Sequence, residues 1–435
     1  MLELDKIYNM DCLDGMKQID DNCIDTIITD PPYGLSFMGK KWDYDVPSIS
    51  IWKECLRVLK PGGTLLCFAG SRTQHRMAVN VEDAGFILKD CIMWLYGSGF
   101  PKASDISKQL DKVVGKQSKG FVTAGDDGRK AEFKQDKSFR SDCGYKWKPE
   151  GEEAKLWDGW KSHGLKPAYE PILVAMKPND GSYANNALVW GVSGLNIDGG
   201  RIPVDPNLDD MLRTVDRKQR KSKTWENGSG FKNENNRLTG VRPQGRYPAN
   251  VIIDEESAKM LDEQSGVSKS SKVGFKGIGW KHSGNTKDEM TDLRYQQDFD
   301  DKGGASRFFY CAKASKTERN AGCNELKEKD SFHGSYKGRD LSNQKAHLGG
   351  LQSGKPTNHH PTVKPLKLME YLCKLTTTPT GGIVLDPFIG SGTTALACKK
   401  TGRKFIGFEN NNEYVEIANK RLSTIPNRLE NWDER

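Results

Sequence analysis

The stretch Thr29-Asp30-Pro31-Pro32-Tyr33-Gly34, directly after Ile24-Asp25-Thr26-Ile27-Ile28, constrains this chain more than any other. The β-branched run predicts a buried strand. Two consecutive prolines predict a rigid exit from it, because proline fixes φ and removes an N–H donor. The strand's C-terminal end therefore carries a carboxylate, carbonyl acceptors without competing donors, and the flat face of Tyr33. Those parts suit the gripping of an exocyclic amino group: Asp30 accepts one N–H, the Pro31 carbonyl accepts the other, and Tyr33 stacks on the heterocycle. Taken piece by piece, the plain alternative is a proline-rich turn with a capping acid.

A second junction near the other end weighs against that alternative. Gly382 to Leu385 reads as a buried strand that runs into Asp386-Pro387-Phe388-Ile389-Gly390-Ser391-Gly392-Thr393-Thr394. A helix follows, and Lys404 to Phe408 predicts the next strand, capped by Glu409. Strand, glycine turn, helix, strand and terminal acid make a nucleoside-binding half. Gly390 and Gly392 let backbone approach a ligand, and the helix start offers free N–H groups. Glu409, about twenty residues on, is placed to accept from ribose hydroxyls. The turn also fits G-x-G-x-x-A, which keeps an NAD-dependent oxidoreductase open. Joined to Asp30-Pro31-Pro32-Tyr33, it points instead to S-adenosyl-L-methionine.

Between these ends the texture changes. At 435 residues the chain suggests two to three units, and 35% hydrophobic content with 45 glycines implies long polar connections. Lys6 to Asn9, Thr64 to Ala69, Ile87 to Leu95 and Pro171 to Met176 read as strands. A helix through Ile51, Trp52, Cys55, Leu56 and Leu59 stops at Pro61-Gly62-Gly63. The pattern is βαβ, hence a largely parallel sheet. Residues 105–165 are expected as a long polar loop. From 180 to 354 only short β-like islands stand out: Ala187 to Trp190, Asn250 to Ile253 and Arg307 to Cys311. Pro365 to Leu375 predicts an amphipathic helix. Within the middle region Arg213, Arg217, Lys218, Arg220, Lys221 and Lys223 form the densest basic cluster, a candidate for phosphate contact in a chain of net charge +8. A solvated loop is its plain alternative. The ten cysteines form no C-x-x-C pair, so buried free thiols are expected and no metal; Cys311, Cys323 and His333 are the candidate ligands, but their spacing is irregular. The N-terminus lacks the pattern of a signal peptide and no apolar run spans a bilayer, which predicts a soluble cytoplasmic protein.

Both motifs resemble those of the amino-methylating DNA methyltransferases, which modify adenine N6 or cytosine N4. The order, with D-P-P-Y first and F-x-G-x-G last, resembles the permuted β group. His360-Pro361-Thr362-Val363-Lys364-Pro365 resembles the segment lining the methionine end of the cofactor, and Asn9-Met10-Asp11-Cys12 the segment near its adenine. The likeness covers about 1–100 and 355–424. Gly99-Phe100-Pro101-Lys102 and Arg307 to Lys313 look like phage and prophage members.

The resemblance implies an α/β, Rossmann-like S-adenosylmethionine-dependent methyltransferase fold, circularly permuted. Its core would be 1–179 and 355–435, with 180–354 as an inserted target-recognition region. It implies Asp30, Pro31, Pro32 and Tyr33 as catalytic residues. Asp11, Lys364, Asp386, Phe388, Gly390, Gly392, Thr393 and Glu409 would bind S-adenosyl-L-methionine. Double-stranded DNA is the implied partner; a homodimer and a separate restriction endonuclease are carried as further partners. No Pro-Cys pair is present, which disfavours C5 chemistry, and Asp at position 30 favours adenine N6 over cytosine N4. Glu170 is left between a strand-edge surface acid and a site residue. Glu153-Ala154-Lys155 has the form of a nuclease tripeptide, which chance readily supplies.

Overall fold

The computed structural model describes residues 2–35, 43–99, 101, 103–115, 149–202, 245–269, 273–281, 289–297, 302–312, 318, 320–323, 326, 358, 360 and 362–425. Its strands, in chain order, are β1 (Lys6–Asn9), β2 (Ile24–Thr29), β3 (Leu59–Phe68), β4 (Ile87–Leu95), β5 (Tyr169–Met176), β6 (Val251–Asp254), β7 (Ser268–Lys269), β8 (Val273–Lys281), β9 (Glu289–Gln297), β10 (Lys302–Gly303), β11 (Tyr310–Ala312), β12 (Ile383–Asp386) and β13 (Lys404–Glu409). A nine-stranded sheet runs β1-β13-β12-β2-β3-β5-β4-β6-β11. Its pairings are parallel except those of β5, which is antiparallel to both β3 and β4. The two ends of the sequence therefore meet inside the sheet, with β12 between β13 and β2.

Alternation along the strands buries both faces. Ile28, Leu66, Phe68 and Ile172 pack on one side with the helices Leu366–Leu375, Thr393–Thr401 and Asn412–Ser423. Ile27, Leu65, Cys67 and Leu173 pack on the other with Cys12–Met16, Ile49–Val58 and Gln74–Asp83. Continuous apolar strands are what a sheet covered on both faces requires. In the helix Leu366–Leu375 the apolar surface is wider than one side: only Lys367 and Lys374 reach water.

Three local expectations are corrected. The helix before β3 ends at Val58, and Leu59 to Gly63 already belong to β3. Pro61 disfavours helical geometry at Lys60, and Gly62, at φ +70°, donates its N–H to Lys177 O. Ala187 to Trp190, expected as a β-like island, lie in the helix Tyr183–Trp190. Ser182 caps it by accepting from Asn185 N–H, and Gly191 closes it at φ +67°; these caps outweigh the β-propensity of Val189 and Trp190. Arg307 to Cys311 divide into a 3-10 turn, Ala305–Phe308, and β11.

The chain divides into two compact units, residues 1–97 with 169–435, and residues 98–168. The smaller unit is more than a polar loop. Its helices Ile106–Val113 and Glu152–Leu156 are tied by buried Asp111, which accepts from Glu150 and Gly151 N–H at 3.0 and 2.9 Å. In the larger unit, β6 and β11, both within 180–354, extend the core sheet beyond β4, whereas β7 pairs with β10 and β8 with β9 as separate two-stranded sheets. Among the described residues no helix is long and apolar enough to cross a membrane. The nine described cysteines are free thiols, and among the described residues no cluster of His, Cys, Asp and Glu is placed to hold a metal. His333 and the basic cluster Arg213 to Lys223 lie outside the described residues.

Candidate active site

Asp30 stands one residue beyond β2, and Asp386 ends β12, the parallel strand beside it. Thr29 and Thr394 hydroxyls donate to Asp386 at 2.7 and 2.6 Å, and Phe388 N–H donates to it at 3.1 Å. Burial pushes this carboxyl up to about 6 against those bonds. Asp386 thus clamps the strand ends and the following helix from inside, and it is 2% exposed.

The Asp30 turn is held by a residue the sequence did not single out. Buried Asp43 accepts the N–H groups of Tyr33, Gly34 and Leu35 at 2.7, 3.0 and 3.2 Å. Gly34 takes φ +66°, and Thr73 donates its hydroxyl to Tyr33 O at 2.6 Å. Pro31 is buried and Pro32 half-buried.

At the mouth of this turn four side chains converge. Lys364 Nζ donates to Asp30 Oδ2 at 2.6 Å and lies 3.2 Å from Tyr33 Oη and 3.3 Å from Glu170 Oε2. Tyr33 Oη is 2.7 Å from Asp30 Oδ1 and 3.0 Å from Glu170 Oε2. A phenol has one proton, so it serves one carboxylate at a time. Burial pushes the Asp30 carboxyl above its usual range; Lys364 opposes that and Glu170 adds to it. Burial also raises Tyr33, which stays a phenol. Burial alone would lower Lys364, but the two carboxylates outweigh it and hold the ammonium charged. The ammonium also lies 5.0 Å from the Phe68 ring centroid and 5.4 Å from that of Tyr33. Glu170 therefore belongs to the site. β5 runs antiparallel, so its N-terminal end arrives where its neighbours end, with Glu170 opposite Trp94.

The glycine turn lies next door. Gly390 and Gly392 take φ +51° and +80°, and a Cβ on Gly390 would come 2.7 Å from His360 Nε2. Behind the turn, buried Arg421 donates to Ser391 O, Ser391 Oγ and Thr393 Oγ1 at 2.6, 3.0 and 3.1 Å. His360 meets the Tyr414 ring edge-on at 4.5 Å. Glu409 ends β13 opposite Asn9 of β1. Burial raises its carboxyl, while the N–H groups of Asn411, Gly390 and Asn410 pull it back. Those contacts bring the terminal acid and the glycine turn together, an arrangement that fits a ribose-bearing ligand. Asp11 is exposed and caps Leu13 N–H at 2.8 Å; Phe388 is half-buried against the core. Lys364, expected on the cofactor side, has its ammonium on the Asp30 side.

A family profile described as DNA methylase matches residues 24–420. The chain belongs to this family. It is similar to the Type II methyltransferase M2.LlaDCHI of Lactococcus lactis subsp. cremoris, 46% identical over 72 residues, which span 17% of this chain and 26% of that protein. It is also similar to the Type II methyltransferase M.HindIII of Haemophilus influenzae, 22% identical over 98% of this chain and 97% of that protein. The crystal structure of the M1.HpyAVI-SAM complex aligns at 16% identity over 96% of this chain and 98% of that one, with a TM-score of 0.35.

Proposed function

We propose that this protein is a site-specific DNA methyltransferase acting on adenine N6 of a base extruded from the duplex. The observation that carries this reading is the adjacency of Asp30 and the glycine turn, on neighbouring parallel strands clamped by Thr29 and Asp386 at 2.7 Å. S-adenosyl-L-methionine, held by the Gly390 turn, Thr393, Phe388, Glu409 and Asp11, supplies an electrophilic methyl group. An aromatic amine is a poor nucleophile because its lone pair is delocalised into the ring. Asp30 retains a lone pair on each oxygen beyond those facing Tyr33 and Lys364, so it can accept an amine N–H. With the Pro31 carbonyl it draws the nitrogen towards tetrahedral geometry, and positioning does most of the remaining work. The Tyr33 hydroxyl is fixed by Asp30 and Glu170, which sets the plane on which the base stacks and offsets part of the extrusion cost, about 1–3 kcal/mol. Arg213, Arg217, Lys218, Arg220, Lys221 and Lys223 supply phosphate contacts in this reading, and other parts of 180–354 read the sequence.

Incubation with tritiated cofactor and DNA, followed by nucleoside mass spectrometry, tests this. N6-methyladenine is expected. N4-methylcytosine alone would move the assignment to the other amine, and no incorporation would remove the activity.

A further inference from the structure

Gripping an amine needs one carboxylate, yet this site places two around a single ammonium. Asp30 paired with Lys364 alone would be a weak proton acceptor, since the ammonium stabilises the charged carboxylate. Glu170 Oε2, 3.3 Å from Lys364 and 3.0 Å from Tyr33 Oη, changes that balance. We propose that Glu170 is a positioning residue for proton release: it shares Lys364 and Tyr33 with Asp30, so that Asp30 can take the proton the methylated amine must lose and pass it on through the Tyr33 hydroxyl. This rests on the amine-methylating reading above.

The balance is simple. The N–CH3 bond forms as the S–CH3 bond breaks, and the cationic amine then loses one proton to Asp30. Asp30 passes a proton to Tyr33 Oη as the phenolic proton moves to Glu170, so Tyr33 is neutral before and after. Glu170, with 23% of its side chain exposed, returns the proton to water. Lys364 is never left without a counter-charge, because it faces Glu170 while Asp30 is protonated. The arrangement also explains why the lysine sits 2.6 Å from Asp30 without disabling it as a base. Among the described residues, the other titratable groups coupled to the cluster are Cys67 of β3, Tyr96 just beyond β4 and Asp386 at the end of β12. Burial holds Cys67 and Tyr96 uncharged, Tyr96 being pushed up to about 12.

Glu170→Gln keeps the shape and removes the charge. Single-turnover methyl transfer by the full chain should fall roughly ten- to a hundred-fold, the low range for positioned proton transfer. The acid limb of its pH profile should move to lower pH, because Asp30 loses the neighbour that raises its proton affinity. In cofactor-free protein carrying 13C-labelled aspartate, the Asp30 carboxyl signal should titrate at lower pH in the variant than in the wild type. Glu170→Asp should recover part of the rate. Calorimetric affinity for S-adenosylhomocysteine and the thermal midpoint should stay near wild type. An unchanged rate and unchanged Asp30 titration in Glu170→Gln, with active wild type, overturn the proposal alone. So does a rate loss matched by lost cofactor affinity and not relieved by aspartate, which marks a merely structural acid. If wild type transfers no methyl group to DNA, the functional reading fails and the proposal falls with it.

Discussion

Replacing Lys364 with methionine should expose how strongly the two carboxylates depend on it. The ammonium is 8% exposed, and its partners Asp30 and Glu170 are 17% and 23% exposed at the side chain. Removing one partner of a buried ion pair costs about 3–5 kcal/mol, because the remaining charge is left uncompensated. Partial exposure of both acids argues for the lower end, about 3 kcal/mol. The loss should depend on pH, with a sign the structure fixes. Asp30 is already pushed above its unfolded value, and losing Lys364 pushes it further, so its charged form costs stability at pH 8. Acid protonates Asp30 and relieves that cost, so the deficit should shrink as pH falls through the raised pKa. Lys364 itself is raised, so its contribution is present below its unfolded value and fades in alkali. Urea unfolding of wild type and variant at pH 8 and pH 5 measures the first effect; the second needs the comparison carried above pH 10.5. The double variant Asp30→Asn, Lys364→Met should lose less than the sum of the singles. A loss below about 1 kcal/mol at pH 8, equal at both pH values, is what a solvated surface pair gives, and it would refute a shared buried ammonium.

Asp30→Ala should abolish methyl transfer while leaving S-adenosylhomocysteine affinity within a few-fold by calorimetry; equal loss of both would place Asp30 on the cofactor side. Gly390→Val should lose cofactor binding, both because a branched residue resists φ +51° and because its Cβ would press on His360; normal affinity would put the pocket elsewhere. Asp43→Ala should lower stability by roughly 2–4 kcal/mol, since three N–H groups lose one charged acceptor, and should depress kcat more than cofactor affinity. An active Asp43→Ala enzyme with wild-type melting would show that the turn holds itself.

The legible parts of this chain were those in which a local pattern carries its own geometry. Ile24 to Thr29 and Ile383 to Asp386 announce buried strands by composition, and the prolines and glycines that follow announce what each strand end must do. Ala187 to Trp190 misled because the side chains favour a strand while the deciding groups, Ser182 and Gly191, lie outside the segment. Asp43 was silent for a related reason: a lone acid in a loop gives no sign that three turn N–H groups will close around it.

Asp30 meets Lys364 across 334 positions, Tyr33 meets Glu170 across 137, and Thr29 meets Asp386 across 357. No window of sequence contains such a pair; the sheet order β12-β2-β3-β5 creates it. Glu170 reaches the site because β5, alone in the nine-stranded sheet, runs against its neighbours, which brings its first residues to the end where β3 and β4 finish. A parallel strand in that place would have offered Met176 there instead. The glycine turn comes last in sequence, yet the parallel pairing of β12 with β2 puts it beside Asp30 in space. The proposed chemistry therefore calls for the Thr29–Asp386 clamp as well as for both motifs. Disturbing that buried bond should misalign donor and acceptor while leaving each motif locally whole.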